Sequence, residues 1–598
     1  HRRVLAAAPG RGVAAALRRA DRARADLLAR AGQPSGARTV LEGLLRSASR
    51  VERPALLAEL AELDTRLGER TRAAARLRLL IDRHPESDEA LALLEPPSSP
   101  GLPLLRPSAL DSAAVLAARG RPREAAQALT PTADPALLAR RAEVRFRSGD
   151  LAAAARDYEE AIARGGPATA LRMELAKTWA RAGETSRARG LYRALLDGEP
   201  SGRRASTLTY LIADLFQEEG LADSAAAWFR RLGERWPRAD LAPRGLLRLG
   251  HLELARGRAA AAEGAYRSYL ARHPAGGDRR EARYWLGRAL AESGREDEAS
   301  RLFAELATPA ADDWYAALAR HRLARSEAEI ETAVFGRAAD PGRRTAGAAA
   351  ADAARSASLA ADTVVQPGPE AGALRRARAL LLAGDSEGAA HEVGAAAAAA
   401  GGDPPPLRRV ARWALARGFP ETTFRLGSAL AAANPGDAGA AALAHAAAYP
   451  ALVLHEAEEL ELPASLLWAV ARRESRFDPA ARSPVGATGL LQLMPATARD
   501  EAARERLPTF DPADLRRPEP NLHLGAAHLR RLLDGAGGRW EVALAAYNAG
   551  AHAAGRWTEF PESRTPEGFV ERIPFRETRA YVKLVLAARA RYEELHGR

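Results

Sequence analysis

The segment LRMELAKTWARAG, residues 171–183, has apolar side chains at helical spacing and ends in glycine. A glycine at this position is typical of a helix that closes in a left-handed cap. The same pattern recurs at Gly183, Gly220, Gly257 and Gly294, each 37 residues after the last. A fixed period of this length indicates repeated helical pairs rather than a single globular core.

Each repeat carries two further small signals after its glycine. An alanine follows each glycine by five residues, at Ala188, Ala225, Ala262 and Ala299. A proline follows by seventeen residues at Pro200, Pro237 and Pro274, and the same offsets recur at Gly68, Ala73 and Pro85. Partial copies lie at Gly32/Ala37, Gly120/Ala125, Gly149/Ala154, Gly384/Ala389 and Gly418/Pro435. The pattern predicts hairpins in which glycine ends the first helix, alanine permits close packing and proline stops the second helix.

Stacked hairpins of this kind form an α-solenoid. The offsets resemble the tetratricopeptide-like repeat, although the 37-residue period and weak aromatic positions depart from its consensus. We expect an all-α chain with four parts: a solenoid over 1–340, a small-residue and Pro/Gly-rich linker over 341–372, further helical pairs over 373–449, and a separate helical domain over 450–598.

Composition limits the classes of function. The net charge is +12, but only Lys177 and Lys583 are lysines, and the other 86 basic residues are arginines spread among the acids. That distribution does not indicate a phosphate-binding patch, so we expect no nucleic-acid partner. The chain lacks cysteine and has no run of 18 apolar residues, which predicts no disulfide, no thiolate metal site and no transmembrane segment. It starts at His1 without methionine, which leaves open whether a signal peptide has been removed.

One charged residue lies on the wrong side of a predicted helix. In PASLLWAVARRES, residues 463–475, the apolar stripe contains Leu467, Val470 and Ala471. Glu474 falls four residues after Val470 and therefore lies on this apolar face, where a carboxylate loses hydration. Glu474 is thus a candidate general acid with a raised pKa.

Other chemistries lack their sequence signatures. Neither lysine follows a glycine, which excludes a P-loop, and there is no G-x-S-x-G or H-E-x-x-H motif. His523 and His528 are five residues apart and diverge on a helix, so they do not predict a zinc site. The remaining candidate is an acid with hydroxyl, amide and aromatic groups nearby, a set suited to carbohydrate binding.

Five segments in order carry a family resemblance. They are ESRFDP (474–479), SPVGATGLLQLMP (483–495), NLHLGAAHLRRLL (521–533), ALAAYNAG (543–550) and IPFRETRAYV (573–582). Residues 450–598 resemble the catalytic domain of the soluble lytic transglycosylases, goose-lysozyme-like enzymes of bacterial cell-wall turnover. Large members of that family also have an N-terminal α-superhelix, which matches the predicted solenoid.

The resemblance implies a role for individual residues. Glu474 matches the family's sole catalytic acid. The remaining matches are substrate-binding residues: Ser483, Gln492 and Met494 in the glycan groove, Tyr547 and Asn548 beside the reacting sugar, and Glu577 as a groove carboxylate. The chain departs from the family pattern at Leu491, usually methionine, at His528, usually tyrosine, and at AHAAG (551–555), which replaces a common Pro-Gly after AYNAG.

The activity implied by the resemblance is cleavage of the β-1,4 bond between N-acetylmuramic acid and N-acetylglucosamine in peptidoglycan. It uses one glutamate as acid and then base, needs no cofactor or metal, and leaves a 1,6-anhydro end. Implied partners are glycan strands and cell-wall proteins bound by the solenoid, and the implied location is the periplasm. Two alternatives stay open: a muramidase of the same fold that uses water, and a binding scaffold whose terminal domain has lost catalysis.

Overall fold

The structure, a computed structural model, describes residues 11–94, 107–130, 132–308, 313–324, 334–335, 367–483, 485–507 and 510–596. Within these residues the secondary structure is helical, and the extended pairing is limited to isolated bridges that join Thr488 to Arg482 and to Leu493. The prediction of an all-α chain is confirmed. The chain separates into two compact units, His1–Leu215 and Phe216–Arg598. No helix in the described ranges is long and apolar enough to cross a membrane.

Most of the helices with described bounds before residue 325 contact the next helix along the chain. In chain order they are α1 (Arg11–Arg30), α2 (Pro34–Ser47), α3 (Arg53–Arg66), α4 (Arg70–Arg83), α5 (Asp88–Ala92), α6 (Ala109–Ala118), α7 (Pro122–Ala128), α8 (Pro135–Arg147), α9 (Leu151–Ala163), α10 (Ala168–Arg181), α11 (Thr185–Gly198), α12 (Ala205–Glu218), α13 (Ala222–Arg235), α14 (Ala242–Ala255), α15 (Ala259–Arg272), α16 (Arg279–Glu292), α17 (Glu296–Leu306) and α18 (Trp314–Ala324).

The turn glycines of the repeats adopt the predicted conformation. Gly183, Gly220, Gly257 and Gly294 have φ angles between 70° and 84°, the left-handed region that favours glycine. The alanines five residues later are completely buried, which lets the second helix of each pair approach the first closely. The second helices α4, α11, α13 and α15 each end two residues before the predicted proline. The helical-hairpin prediction is therefore confirmed in both units.

Five helices lie between the predicted linker and the C-terminal domain. They are α19 (Ala371–Leu382), α20 (Ser386–Ala399), α21 (Pro404–Ala416), α22 (Pro420–Ala433) and α23 (Ala438–Ala444). Of the predicted linker 341–372, residues 341–366 lie outside the described residues, and α19 already begins at Ala371. These helices bury their own apolar cluster, which contains Leu374, Val393, Val410 and Leu426.

The C-terminal region consists of shorter helices joined by structured loops. They are α24 (Pro450–Glu459), α25 (Ala464–Glu474), α26 (Pro495–Arg504), α27 (Pro518–Gly535), α28 (Trp540–Ala549), α29 (Ala551–Trp557), α30 (Pro566–Arg572) and α31 (Arg576–His596), with 3₁₀ turns at Pro512–Arg516 and Pro561–Arg564. Pro495 begins a helix and Gly550 ends one, both as predicted. Helix α31 packs against both α25 and α28.

Within the second unit, the last repeats and the C-terminal helices share one apolar core. This core extends from Leu246 and Trp285 through Trp314 to Trp468 and Tyr592. Buried ion pairs accompany the apolar contacts. Glu567 accepts hydrogen bonds from Tyr284 at 2.8 Å and from Arg322 at 2.7 Å, and it also pairs with Arg288.

The charge of Glu567 is stabilised by these contacts. Burial alone would raise the pKa of this carboxyl, but Arg288 and Arg322 outweigh burial and hold the pKa below its usual value. Removing either arginine would leave a buried carboxylate with incomplete compensation. Helix α30, which carries Glu567, therefore depends on side chains from α16 and α18.

Candidate active site

Glu474 is the last residue of helix α25, most of which is buried. Every residue from Ala464 to Ala471 is buried, and the helix ends at Glu474 itself. The hydroxyl of Ser475 donates to the carbonyl of Ala471 at 3.1 Å and accepts from the N–H of Phe477 at 3.1 Å. The helix therefore stops in a hydrogen-bonded turn, and Glu474 lies where the buried helix meets the surface.

The turn that follows Glu474 is strained. Arg476 and Phe477 have φ angles of 57° and 67°, which cost about 1 kcal/mol or more for each non-glycine residue. The ring of Phe477 is buried and meets Phe424 edge to face at a centroid distance of 6.1 Å. Packing of this ring holds the strained turn in place. Strain next to a partly buried acid is typical of functional sites.

The environment of Glu474 favours its protonated form. Burial raises the pKa of this carboxyl to about 6, and the negative charge of Glu577 acts in the same direction. The Tyr581 hydroxyl and Arg473 oppose this shift without cancelling it. At pH 7 a carboxyl with a pKa of about 6 is protonated in about one molecule in ten, roughly thirty times as often as an ordinary glutamate, and a general acid must carry this proton.

Tyr581 is a site residue that the sequence analysis did not single out. It lies four residues after Glu577 on α31, so both side chains leave the helix on the side that faces Glu474. Burial raises the pKa of Tyr581 well above its usual value, and the Glu474 carboxyl adds to the effect. The Tyr581 hydroxyl is buried and has no partner with good hydrogen-bond geometry in the described residues, so its interaction with the Glu474 carboxyl is electrostatic rather than a well-formed hydrogen bond. The i+4 spacing from Glu577 is the signal that could have identified it.

Tyr547 and Asn548 lie at the end of α28, as predicted. The Tyr547 hydroxyl donates to the carbonyl of Leu491 at 2.7 Å, and burial raises its pKa well above the usual value, with a further contribution from Glu474. Asn548 is exposed, and its Oδ1 accepts from the Thr578 hydroxyl at 2.7 Å. This bond directs the amide Nδ2 away from Thr578, where it can serve as a donor.

The loop between Ala481 and Met494 is tightly organised. Gln492 adopts a φ angle of 47°, and its Nε2 donates to the carbonyls of Ala481 at 3.0 Å and Gly489 at 2.9 Å. The Ser483 hydroxyl accepts from the N–H of Ala487 at 2.9 Å. Both side chains therefore brace the loop, and their remaining polar capacity is available to a ligand.

The buried side chain of Asn521 holds the same loop through hydrogen bonds to its backbone. Its Oδ1 accepts from the N–H of Leu491 at 2.7 Å, and its Nδ2 donates to the carbonyls of Thr488 and Leu515, both at 2.9 Å. Gly489 passes so close that an added Cβ would lie 2.1 Å from Asn521 Nδ2, and its φ of 82° also requires glycine. Both backbone polar groups of Leu491 are thus hydrogen-bonded: its N–H donates to Asn521, and its carbonyl accepts from the Tyr547 hydroxyl.

The predicted site residues fall into two groups. The charge of Glu474 affects the pKa of Tyr547, and the charge of Glu577 affects the pKa of Glu474, while Asn548 lies next to Tyr547 at the same helix end. Ser483, Gln492 and Met494 belong to the neighbouring loop, with Met494 exposed at 41%. Within the described residues, no hydrogen bond or ion pair joins this second group to Glu474, so its role in substrate binding stays a prediction.

The two histidines of α27 have separate carboxylate partners. His523 Nδ1 lies 3.0 Å from Glu456, whose hydrogen bond raises the histidine pKa. His528 Nδ1 lies 2.8 Å from Glu501, but burial lowers its pKa overall. The His528 ring also packs against Tyr547 at a centroid distance of 5.4 Å. His528, one of the departures from the family pattern, therefore supports the position of Tyr547.

Potential metal ligands occur in two places in the described part of the chain. The groups are His251, Glu281 and Glu571, and the more exposed His455, Glu456 and Glu459. In the first group Lys583 Nζ lies 2.6 Å from Glu571 and 3.4 Å from Glu281, so an ammonium already supplies the positive charge between these carboxylates. That arrangement fits an ion-pair cluster better than a metal site.

Comparison with protein families identifies the class of both parts. Residues 452–567 match the family model described as "Transglycosylase SLT domain", and residues 139–203 and 247–313 match "Tetratricopeptide repeat". Two parts of the helical repeats are therefore similar to tetratricopeptide repeats, and most of the C-terminal region is similar to the transglycosylase SLT domain. The family resemblance read from the sequence is confirmed for this domain.

Individual relatives agree with this class. The chain is 40% identical over 139 residues to the soluble lytic murein transglycosylase of Escherichia coli strain K12, an alignment that covers 23% of this chain and 22% of that protein. It is 37% identical over 142 residues to a putative soluble lytic murein transglycosylase of Haemophilus influenzae, covering 24% of each. The alignments thus span less than a quarter of the length of these curated relatives.

The fold similarity extends further than the sequence similarity. The crystal structure of a 70 kDa soluble lytic transglycosylase from Escherichia coli matches with a TM-score of 0.52 and 20% identity, and the match covers 97% of both chains. At this level of identity the likeness concerns the fold alone.

Proposed function

We propose that this protein is a peptidoglycan lytic transglycosylase that cleaves the β-1,4 bond between N-acetylmuramic acid and N-acetylglucosamine. The observation that carries the proposal is the position of Glu474, a carboxyl with a pKa raised to about 6 at the end of a buried helix. The transglycosylase SLT domain and the names of its relatives support the choice of substrate.

In the proposed reaction Glu474 acts twice. Its protonated carboxyl donates to the glycosidic oxygen as the bond from C1 of the muramic acid breaks. The resulting carboxylate then accepts the proton of the C6 hydroxyl of the same sugar, and O6 forms the new bond to C1. The product is a 1,6-anhydro ring, the acid is regenerated, and no water is consumed.

The neighbouring groups suit the sugar in this reaction. The Nδ2 of Asn548 is directed outward as a donor for the carbonyl of an N-acetyl group, since Oδ1 is occupied by Thr578. The Tyr547 hydroxyl donates to Leu491 and retains acceptor capacity for a sugar N–H or O–H. Ser483, Gln492 and Met494 would contact more distant parts of the glycan.

A muramidase of the same fold is the second candidate, and Glu577 is the observation that favours it. Most glycosidases use two carboxyl groups, and Glu577 is the carboxylate that acts on the pKa of Glu474. Glu577 is exposed in the first turn of α31, so it could hold a water molecule or simply line the groove. In the first case the product would be a reducing muramic acid.

Product analysis distinguishes these candidates. Purified sacculi are digested with the wild-type chain, and the soluble products are identified by mass spectrometry, with the Glu474→Gln variant as the blank. Anhydro-muropeptides, each lighter by one water than the hydrolysis product, are the expected result. Reducing ends alone would replace the proposal by the muramidase, and no turnover at all would leave the binding scaffold.

The wider setting follows from the same proposal. A peptidoglycan lytic enzyme of this class would act in the periplasm, with glycan strands as substrate and no cofactor. The helical repeats would then contact the strand or bind cell-wall proteins. Co-sedimentation of Glu474→Gln with sacculi, compared for the full chain and a chain that lacks residues 1–215, tests whether the repeats add to binding.

A further inference from the structure

A cavity separate from the candidate active site lies in the unit Phe216–Arg598, on the side of α31 opposite Glu474. Its volume is about 720 Å³, and its walls come from α14, the ends of α15 and α16, and the first turns of α31. This volume falls in the range of small-molecule sites. Six cationic side chains line it: Arg244, Arg248, Arg272, Arg576, Arg579 and Lys583.

The six cationic side chains of the cavity wall face four acids, Asp240, Asp278, Glu281 and Glu571, so the cations are in excess. Glu281 and Glu571 share the Lys583 ammonium, and the Tyr315 hydroxyl lies 2.6 Å from Glu281 and 2.8 Å from Glu571. Burial would raise the pKa of Glu281, yet Lys583 and its hydrogen bonds hold the pKa well below its usual value. The single ammonium offsets one of these two carboxylates, and all four acids together leave two of the six cations of the cavity without a balancing charge.

Three arginines of the cavity have no carboxylate of the described residues in direct contact, although Asp278 acts on Arg244 and Arg579 from a greater distance. Within the described residues, no carboxylate lies within 4 Å of the guanidinium groups of Arg244, Arg576 or Arg579. Arg579 donates to the carbonyl of Ile573 at 2.8 Å, which satisfies one of its five N–H groups. Burial lowers the pKa of Arg579, the positive charges of Arg248 and Arg244 lower it further, and Glu571 and Glu281 oppose this shift without cancelling it. Cations that repel one another in a partly buried cavity are stabilised when an anion binds.

The cavity and the candidate active site lie on opposite sides of α31. Arg576, Arg579 and Lys583 are spaced three and four residues apart and share one side of the helix. Glu577 and Tyr581 project from the opposite side, towards Glu474. A ligand in the cavity would therefore contact the helix that carries two groups of the active site without entering that site.

We propose that this cavity binds a ligand with two or more carboxylate or phosphate groups, held by Arg244, Arg576 and Arg579. Guanidinium groups match such oxyanions with paired N–H donors. The cavity is larger than a single phosphate requires, which favours an extended ligand such as an acidic peptide. If the proposed function holds, the peptides of peptidoglycan are one source of these carboxylates, and free soluble anions are the other.

Isothermal titration calorimetry on the full chain tests the proposal without turnover. The titrants are N-acetyl-L-alanyl-D-glutamate, citrate and inorganic phosphate, all at ionic strength matched with sodium chloride. We expect one-to-one binding of at least one titrant to the wild-type chain. Its affinity should fall about tenfold or more in Arg244→Gln and in Arg579→Gln, the scale of one lost charge-assisted hydrogen bond.

A matched variant and a second cavity variant complete the design. Arg301→Gln removes the same charge from an exposed position on α17 outside the cavity and should leave the affinity unchanged. Arg576→Gln replaces Arg579→Gln if melting shows that the latter is unfolded, because Arg576 is exposed.

The possible outcomes separate the ligand sources and the two proposals. Preference for the dipeptide over citrate and phosphate assigns the site to wall peptides, and the reverse order assigns it to soluble anions. Absence of binding to the wild-type chain, or equal weakening by Arg301→Gln, overturns the proposal. A chain that binds the titrant but fails to lyse sacculi would refute the proposed function and leave the anion site standing.

Discussion

Replacing Glu474 by glutamine should stabilise the protein at neutral pH while it strongly lowers activity. Burial raises the pKa of Glu474 from 4.5 to about 6, whereas the unfolded chain keeps the ordinary value. One pKa unit corresponds to about 1.4 kcal/mol, so ionised Glu474 makes the native state about 2 kcal/mol less stable than the neutral side chain would. Glutamine has the same shape and carries no charge.

The direction of the pH dependence follows from the raised pKa. Between about pH 4.5 and 6 the native protein holds a proton on Glu474 that the unfolded chain has already lost. The stability linked to this proton is fully present below the unfolded pKa and is lost as the pH rises through about 6. The Glu474→Gln variant does not undergo this loss, so its advantage over wild type should grow as the pH rises from about 4.5 to 6 and be complete above that range.

Scanning calorimetry of both proteins at pH 4.5 and pH 8 measures the effect. For a cooperative unit of the size of residues 216–598, about 2 kcal/mol corresponds to roughly 2–3 °C in melting temperature. We expect the difference in melting temperature between variant and wild type to be larger by this amount at pH 8 than at pH 4.5. An equal difference at the two pH values would show that the carboxyl is not destabilised in the native state, and the reasoning would be refuted.

Activity provides the complementary measurement. Lysis of sacculi by Glu474→Gln should fall by about 10²-fold or more, the usual contribution of a general acid. For wild type, kcat/KM should decline as the pH rises above about 6, because the acid must be protonated in the free enzyme. Retention of wild-type lysis by the variant would remove Glu474 from the catalytic role.

Three further perturbations test the site and its support. Tyr547→Phe should lower turnover at least tenfold and cost about 1 kcal/mol of stability through the lost bond to the loop carbonyl; a stability loss with full specific activity would return this side chain to a purely structural role. Gly489→Ala should destabilise by about 2 kcal/mol or more and reduce lysis, whereas Gly555→Ala, with open space around its Cβ, should do neither; equal effects would contradict the close packing. The fragment 450–598 should show weak helical circular dichroism and the fragment 216–598 a cooperative melt, since the former lacks Arg288 and Arg322, which pair with buried Glu567; a cooperative melt of the shorter fragment would contradict this.

The repeat architecture was predictable because its signals are local. A left-handed turn needs glycine, a close helix contact needs alanine, and a helix cannot continue through proline, whatever the rest of the chain does. Gly183, Gly220, Gly257 and Gly294 all show the expected φ angles. The wrong-face position of Glu474 was readable for the same reason, since helical spacing within α25 determines which side chains share a face.

The contacts of Ser483, Gln492 and Tyr547 could not be read from the sequence. Family resemblance assigned all three to substrate binding, and the structure shows that each also holds a loop in place. Their partners are backbone groups, which leave no signature in residue identity. Tyr581 was missed because its relation to Glu474 joins α31 to α25, more than a hundred residues apart.

The sequence by itself determined the helical repeats, the position of the acid and the class of the C-terminal domain. Each of these depends on residues close together along the chain or on a matched series of short segments. Tertiary structure alone decided that the last repeats share a core with that domain, that Glu474 has a pKa near 6, and that arginines from α14 and α31 meet in one cavity. Burial and charge proximity are properties of the packed chain, because they arise between residues that the sequence separates by hundreds of positions.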